Sequence, residues 1–253
     1  MEPSRQVEKL ILPIDEYVTS RAEDAVASNA TEILMRECMG KKGYDWAVID
    51  WPTDVQALLN RRRYGLIEAD VAERLGYHTP DDFVVPETEA GNRDLERENS
   101  LPAVELRAAY GQGTGCANQA GEQLWGGPPP ELDILNDMDS ASLRKSRADD
   151  GVARALRGWK QCMKREGFHY SSPSAASGDP AWPDGDQPSD REVEVAVTDV
   201  GCKHKTRLAE VWFAAEKKTQ LRMIEGNRKY FDRLKAAKDR YLGNARRVIA
   251  SDR

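Results

Sequence analysis

A nine-residue unit that occurs twice is the feature that most constrains how this chain folds. Residues 38–46 read CMGKKGYDW, and residues 162–170 read CMKREGFHY. Each copy has Cys-Met, three residues that include a basic pair, a glycine, an aromatic residue, one polar residue and a second aromatic residue. A unit repeated in this detail predicts two related half-molecules, each anchored at its own copy.

Two further sequence matches follow the repeat in the same order. A Trp-Pro pair lies downstream of each Cys-Met unit, and each half also contains a Gly-Cys pair followed by a tryptophan at a spacing that differs by one residue. The matches are Trp51-Pro52 with Trp182-Pro183, and Gly115-Cys116 leading to Trp125 with Gly201-Cys202 leading to Trp212. The shared order favours a tandem duplication.

A glycine-proline block marks the boundary that we predict between the two halves. Residues 126–130 read GGPPP, a composition that stops helices and is typical of a linker. We therefore predict a first helical half over residues 1–127, with Cys38 and Cys116, and a second half over residues 128–253, with Cys162 and Cys202.

The four cysteines permit three pairings. The pairing that respects the repeat is Cys38 with Cys116 and Cys162 with Cys202. Loops of these lengths would stabilise the fold by about 4 kcal/mol each in the chain-entropy model. Such bridges imply an oxidising compartment. The alternative is four buried free thiols in a cytosolic protein.

Composition limits the classes of protein that this chain resembles. Of its 253 residues 40% are hydrophobic and 32% are charged, which suffices for a thin core between solvated helices and extended linkers. A net charge of -6 argues against a general nucleic-acid binder. No apolar run is long enough to span a membrane. Residues 1–12 carry no signal-peptide core, which leaves both compartments open because mature exported proteins have lost that segment.

The hydrophobic periodicity predicts an all-α fold. We expect helices over residues 15–39, 53–63, 68–75, 103–110 and 116–125, and a helix or helix pair over 131–166. Residues 79–102 and 171–190 are predicted to be polar loop and linker. From Ser189, with Glu192 as its capping-box partner, one or two long helices should run to the end of the chain. Their heptad-like seam is a candidate surface for a partner or for self-association, formed by Ile224, Phe231, Leu234, Tyr241 and Val248.

Motifs for chemistry are sparse. Residues 68–76 (EADVAERLG) resemble the first helix of a helix-turn-helix, but the residues after them include two carboxylates and a proline, which make a poor DNA-reading helix. The triplet Arg61-Arg62-Arg63 is more typical of a solvated helix end. The histidines His78, His169 and His204 are far apart in sequence, so we predict no metal site and no cofactor. No catalytic residue is predicted.

The aromatic residues cluster beside the cysteines and are expected to pack over the disulfides as core. The functional alternative is an exposed aromatic groove for a glycan or a peptide. Asn29-Ala30-Thr31 fits a glycosylation acceptor, but it lies inside a predicted helix.

Taken in order, these motifs resemble a group of uncharacterised secreted or lipoprotein-type proteins of actinobacteria. The resemblance covers about residues 15–250 and rests on the Cys-Met units, Arg63-Tyr64-Gly65, Gly76-Tyr77-His78 and the TDVGCK segment at 198–203 that leads to Trp212. It implies export, disulfide-bonded helices and often a lipid-modified N-terminal cysteine. The chain departs from this pattern because it has neither an export signal nor a cysteine before Cys38.

Three hypotheses about function follow from this reading. The first is a non-enzymatic, exported cell-envelope protein that binds another protein or an envelope component. This hypothesis includes no nucleic-acid partner and allows a lipid anchor in the precursor. The second is a secreted enzyme or enzyme inhibitor. The third is a cytosolic helical regulator that uses the degenerate helix-turn-helix-like segment.

Overall fold

A computed structural model describes residues 3–54, 59–78, 87–183, 185 and 187–252. Within these ranges the chain is all-α, as predicted, with no β-strand. A short 3-10 turn occupies Pro13–Tyr17. The helices are α1 (Arg5–Glu8), α2 (Arg21–Lys41), α3 (Ala69–Leu75), α4 (Glu87–Ser100), α5 (Ala103–Tyr110), α6 (Cys116–Trp125), α7 (Asp133–Arg147), α8 (Asp150–Arg165), α9 (Pro173–Ser177), α10 (Asp190–Thr206), α11 (Leu208–Gly226) and α12 (Arg228–Ser251).

The chain divides into two compact units, each assembled from separated stretches of sequence. Unit 1 comprises Met1–Asp15, Leu58–Phe83 and Leu132–Gly226. Unit 2 comprises Glu16–Ala57, Val84–Glu131 and Asn227–Arg253. This division differs from the predicted halves 1–127 and 128–253, because segments from both halves contribute to each unit.

Unit 1 is built around α8 and α10. Trp159 and Met163 of α8 are fully buried and pack against Val195 and Cys202 of α10. The Cys162–Cys202 disulfide joins the two helices inside this core. On its other side α10 packs against α3, whose small residue Ala72 permits a close approach.

Unit 2 is built around α2, which packs against α6 and the long C-terminal helix α12. Ala30 and Leu34 of α2 meet Leu124 of α6 and Ala245 of α12 in one apolar cluster. A second cluster surrounds the Cys38–Cys116 disulfide, which joins α2 to α6. Both disulfides therefore have the predicted pairing, and each lies within one unit.

The two copies of the repeated unit end their helices in the same way. In the first copy the N–H of Gly43 donates to the carbonyl of Gly40, and the N–H of Tyr44 donates to the carbonyl of Met39. Gly167 and Phe168 repeat both bonds in the second copy. Gly43 and Gly167 have φ of 81° and 91°, which side-chain-bearing residues rarely adopt. This is the Schellman arrangement, in which each glycine ends the helix that carries its Cys-Met pair.

Three segments differ from the prediction. The predicted polar loop at 79–102 contains α4, because its Glu and Arg residues are good helix formers that outweigh Gly91; residues 79–86 lie outside the described ranges. A helix was predicted at 53–63, but residues 59–62 form a turn. The buried side-chain amide of Asn60 holds this turn by donating a hydrogen bond of 2.9 Å to the carbonyl of Leu10. Residues 55–58 are not described. The linker at 171–190 contains α9, whose Ala176 is buried.

The proline-free C-terminal region forms three successive helices rather than one or two. Arg207 adopts a left-handed conformation with φ of 53° between α10 and α11, and Asn227 separates α11 from α12. Among the described residues, no helix is long and apolar enough to cross a membrane.

A candidate binding recess in unit 2

An aromatic recess of about 160 Å³ opens between α2, the segment after it, α4 and α5. Its aromatic walls are Trp46, Trp51 and Tyr110. The Tyr110 ring lies edge-on to Trp46, with ring centroids 6.2 Å apart. The recess adjoins the cluster around the Cys38–Cys116 disulfide, so its walls are supported by a cross-linked core.

Arg97 of α4 forms one side of the recess and is held by several groups at once. Its guanidinium binds the Glu32 carboxylate through two bonds of 2.7 Å and donates to the carbonyl of Ala47 at 2.8 Å. It also pairs with Asp94 at 2.5 Å and lies 4.0 Å above the Trp46 ring. Burial lowers the pKa of Arg97, but the hydrogen bonds and charge of Glu32 and Asp94 raise it by more, so the side chain stays charged.

Glu32 is the buried anchor of this arrangement. Only 5% of the residue is exposed, and its carboxylate accepts hydrogen bonds from the Trp46 indole at 3.1 Å and the Ile49 N–H at 3.2 Å. Because four donors converge on its two oxygens, Glu32 has little capacity left for a ligand.

The side chains that can still form hydrogen bonds with a ligand in the recess are those of Asp94, Ser28 and Tyr110. Asp94 is 38% exposed at its side chain and is paired only with Arg97 among the described residues. The hydroxyls of Ser28 and Tyr110 border the recess and bind no partner within those residues. Burial, followed by the negative charge of Asp94, raises the pKa of Tyr110, so its hydroxyl remains a neutral donor and acceptor.

Trp51 is fixed through its backbone and not through its ring. The Asn29 side chain accepts from the Trp51 N–H and donates to the Trp51 carbonyl, both at 2.8 Å. The Trp51 indole N–H has no partner in the described part of the chain. Both polar atoms of the Asn29 side chain are engaged in these bonds, so its role in the recess is structural.

The predicted partner seam is largely covered by the chain itself. Phe231 and Leu234 are 1% and 2% exposed. Tyr241 and Val248 pack against the apolar cluster that α12 shares with α2 and α6, and Tyr241 stacks on Trp125. Ile224 lies on α11, in the other unit. Tyr241 and Val248 therefore contact helices from the first half of the sequence, and burial removes Phe231 and Leu234 from any surface offered to a second molecule.

The helix-turn-helix-like segment and the arginine triplet serve packing and pairing within unit 1. A Cβ added at Gly76 would lie 2.7 Å from a Glu192 carboxylate oxygen, so the glycine permits this close approach. Arg61 pairs with Glu68 at 2.6 Å, and Arg63 pairs with the buried Glu216 at 2.5 Å and with Asp139. The triplet is not the solvated helix end that we expected. The position of a second, base-reading helix falls at 79–86, outside the described residues.

The histidines do not converge. His78 contacts the buried Glu192 at 3.1 Å, and His204 binds the carbonyl of Ile67 at 2.9 Å. His169 follows Phe168 in the second Cys-Met unit. The described residues contain no group of three or more His, Cys, Asp or Glu side chains that could hold a metal ion.

Sequence reasoning missed the three charged residues of the recess. Asp94 and Arg97 lie in the segment that was predicted to be a loop, and Glu32 lies in a predicted helix to which no site residue was assigned. A helical reading of residues 87–100 would have placed Asp94 and Arg97 on one face, three residues apart.

No family model, curated protein or solved structure matches this chain. The recess is therefore interpreted from its own chemistry.

Proposed function

We propose that this chain is an exported, non-enzymatic cell-envelope protein that binds another protein or an envelope component. The observation that carries the proposal is the closure of both cysteine pairs, one in each unit, with no free cysteine. Bridges of this kind persist in oxidising compartments, whereas the cytosol keeps thiols reduced.

The position of the bridges supports a structural role for them. Cys162 and Cys202 are at most 1% exposed and lie inside an apolar cluster, while the other bridge joins the fully buried Cys116 to the partly exposed Cys38. Thiol-disulfide exchange requires a reactive thiolate to reach a sulfur, so burial makes the Cys162–Cys202 bridge a poor redox catalyst and an effective cross-link. The resemblance to secreted and lipoprotein-type proteins supports the same proposal, and the recess in unit 2 is the place where we expect an envelope component to bind.

Thiol counting on protein from cells that produce it naturally tests the proposal. Thiols are trapped with a maleimide in denaturant at lysis, with and without prior reduction, and the labelled protein is weighed by mass spectrometry. We expect no label before reduction and four labels after it. Four labels before reduction would contradict export and favour the cytosolic-regulator hypothesis.

Protease access to intact cells provides an independent readout. A protein on the outer side of the cytoplasmic membrane should be cleaved after the cell wall is permeabilised, while a cytosolic marker stays intact. Protection equal to that of the cytosolic marker would count against the proposal.

A further inference from the structure

The size of the recess limits its occupant to one ring. Its volume is about 160 Å³. An apolar cavity of about 150 Å³ accommodates a benzene molecule, whereas pockets for drug-sized ligands begin at about 300 Å³. A single six-membered ring therefore fits, and a longer ligand must continue outside the recess.

The charges of the recess argue against an anionic ligand. Glu32 and Asp94 contribute two negative charges and Arg97 contributes one positive charge. The two terminal nitrogens of the Arg97 guanidinium are already bound to both carboxylates and to a backbone carbonyl, and its Nε–H has no partner but is buried. A phosphate or a carboxylate would meet a net charge of about -1 with no second cation among the described lining residues, and this repulsion is strong where water is partly excluded.

The groups that remain available suit a ligand rich in hydroxyls. Asp94 offers a carboxylate oxygen as an acceptor, while Ser28 and Tyr110 offer hydroxyls that both donate and accept. Trp51, which lines the recess, adds an aromatic ring and an indole N–H that has no partner among the described residues. A ring with hydroxyls on its rim and C–H groups on its faces uses both kinds of wall, which a purely apolar ring does not.

The two Trp-Pro pairs differ in a way that singles out Trp51. Trp182 in unit 1 donates its indole N–H to the carbonyl of Ala176 at 2.7 Å and stacks on Tyr77 with centroids 6.1 Å apart. Its ring is committed to its own fold. Trp51 is held through its backbone by Asn29, which leaves its ring at the wall of the recess.

We propose that this recess is a carbohydrate site that holds one neutral pyranose ring, stacked on Trp51 and hydrogen-bonded to Asp94, Tyr110 and Ser28. The inference rests on the proposed function, because the sugar is then the envelope component that the protein binds. The ring is supplied either as a free sugar or as the terminal residue of a glycan.

Binding of single sugars to the full chain with its disulfides intact is the direct test. The probes are the methyl pyranosides of glucose, galactose and mannose together with N-acetylglucosamine, followed by saturation-transfer NMR and calorimetry. We expect at least one to bind with a dissociation constant of about 1 mM, as is reasonable for a ring with about 12 non-hydrogen atoms. Glucuronic acid, which has the same ring with a negative charge, should bind at least tenfold more weakly than glucose.

Variants locate the binding at the recess. Trp51→Ala should weaken binding about tenfold or more, and Tyr110→Phe about threefold, because it removes one hydroxyl while keeping the ring. Trp182→Ala is the matched control from the other Trp-Pro pair and should leave sugar binding unchanged. Circular dichroism and hydrogen exchange in α2 verify that each variant is folded.

Several results would overturn the inference. These are the absence of saturable binding by every sugar in the millimolar range, binding that survives Trp51→Ala in a folded protein, and binding of p-cresol in place of sugars. The last result would identify the occupant as an aromatic side chain of a peptide.

Longer glycans distinguish the two sources of the sugar. A di- or trisaccharide that ends in the preferred sugar should bind at least as tightly as the single ring if the occupant is a glycan terminus. Rejection of the longer chain identifies a free sugar. If the disulfides are closed and no sugar binds, this inference fails and the export proposal stands. If sugar binds to a protein with four free thiols, the export proposal fails and the carbohydrate site stands.

Discussion

The ammonium group of Lys203 lies 2.7 Å from a carboxylate oxygen of Asp199, one turn earlier on α10, and both side chains are at most 1% exposed. The Trp159 indole at 2.8 Å and the Tyr77 hydroxyl at 3.2 Å also donate to this carboxylate, and Lys203 donates to the carbonyl of Leu66. Burial lowers the pKa of Lys203 and raises that of Asp199, and the attraction between the two opposes both shifts. The pair is stable only when both members are present.

Removing one member of this pair should therefore be far more damaging than removing both. Lys203→Met leaves a buried carboxylate without its cation, and we expect a loss of about 3–5 kcal/mol in the free energy of unfolding of unit 1. Adding Asp199→Leu should recover much of that loss. The measurement is denaturant unfolding with hydrogen exchange in α10 as the readout, and Lys205→Met, on the exposed side of α10, is the control. Equal losses in the single and double variants would contradict this account.

Gly65 is required by its backbone and by the same lysine. Its φ is 80°, and a Cβ built on it would lie 2.8 Å from the Lys203 Nζ. We expect Gly65→Ala to destabilise unit 1 by about 1–3 kcal/mol from backbone strain and, in addition, to displace Lys203. In a Lys203→Met background we expect Gly65→Ala to cost only the free energy of backbone strain. Gly43 shows that case on its own, because its φ is 81° and the space around an added Cβ is open. A double-mutant cycle with no coupling would refute the steric contribution.

The side chain of Arg97 should hold α4 in place against the rest of unit 2. The exposed surface of α4 is extensive, and within the described residues its side-chain hydrogen bonds to the rest of unit 2 come from this guanidinium. Arg97→Lys keeps the charge but cannot form the two parallel bonds to Glu32, so the amides of α4 should exchange at least tenfold faster. Arg93→Ala, on an exposed position of the same helix, serves as the control. Unchanged exchange in Arg97→Lys would show that other contacts fix α4.

Each disulfide should stabilise its own unit. The bridges close loops with sequence separations of 78 and 40 residues. The chain-entropy model gives about 4 kcal/mol for either loop. We expect Cys38→Ser with Cys116→Ser to accelerate exchange in α6 and to leave α8 unchanged, and Cys162→Ser with Cys202→Ser to do the opposite. Loss of protection in both units from one pair of substitutions would argue against independent cross-links.

Glu23 gives unit 2 a dependence on pH. Burial raises the pKa of its carboxyl, but the N–H of Ser20 and the ammonium of Lys238 lower it by more, so the pKa lies below its ordinary value of 4.5. A lowered pKa in the folded state contributes stability above the unfolded pKa, and that stability is lost as the pH falls through the folded pKa.

We therefore expect the thermal unfolding midpoint of unit 2 to decrease as the pH is lowered from about 5 to about 3. Glu23→Gln should reduce the slope of the midpoint against pH over this range. The effect should be no larger than about 1 kcal/mol, because the pair is partly exposed. Glu37→Gln, at an exposed position of the same helix, should leave the slope unchanged. A slope that is identical in Glu23→Gln and the unsubstituted protein would contradict the assignment.

The local structure of this chain was largely predictable because the signals for it are local. Gly43 and Gly167 end their helices in the same arrangement because only a residue without a side chain readily adopts that φ. The all-α class follows from periodicity, and the pairing of Cys38 with Cys116 follows from the repeat. α4 was missed because its polar sequence and Gly91 lack an apolar stripe, while the bonds that fix it come from Glu32 and Ala47, distant in sequence.

The sequence by itself determined the all-α class, the glycine stops after α2 and α8 and the cysteine pairing, since each depends on neighbouring residues or on a repeated pattern. Only the tertiary structure decided that α12 packs against α2 and α6, and that Glu32, Asp94 and Arg97 meet beside Trp46. The physical reason is that such contacts gain their free energy from apolar burial and from pairing of buried charges, which depend on which surfaces meet in space and not on their order along the chain.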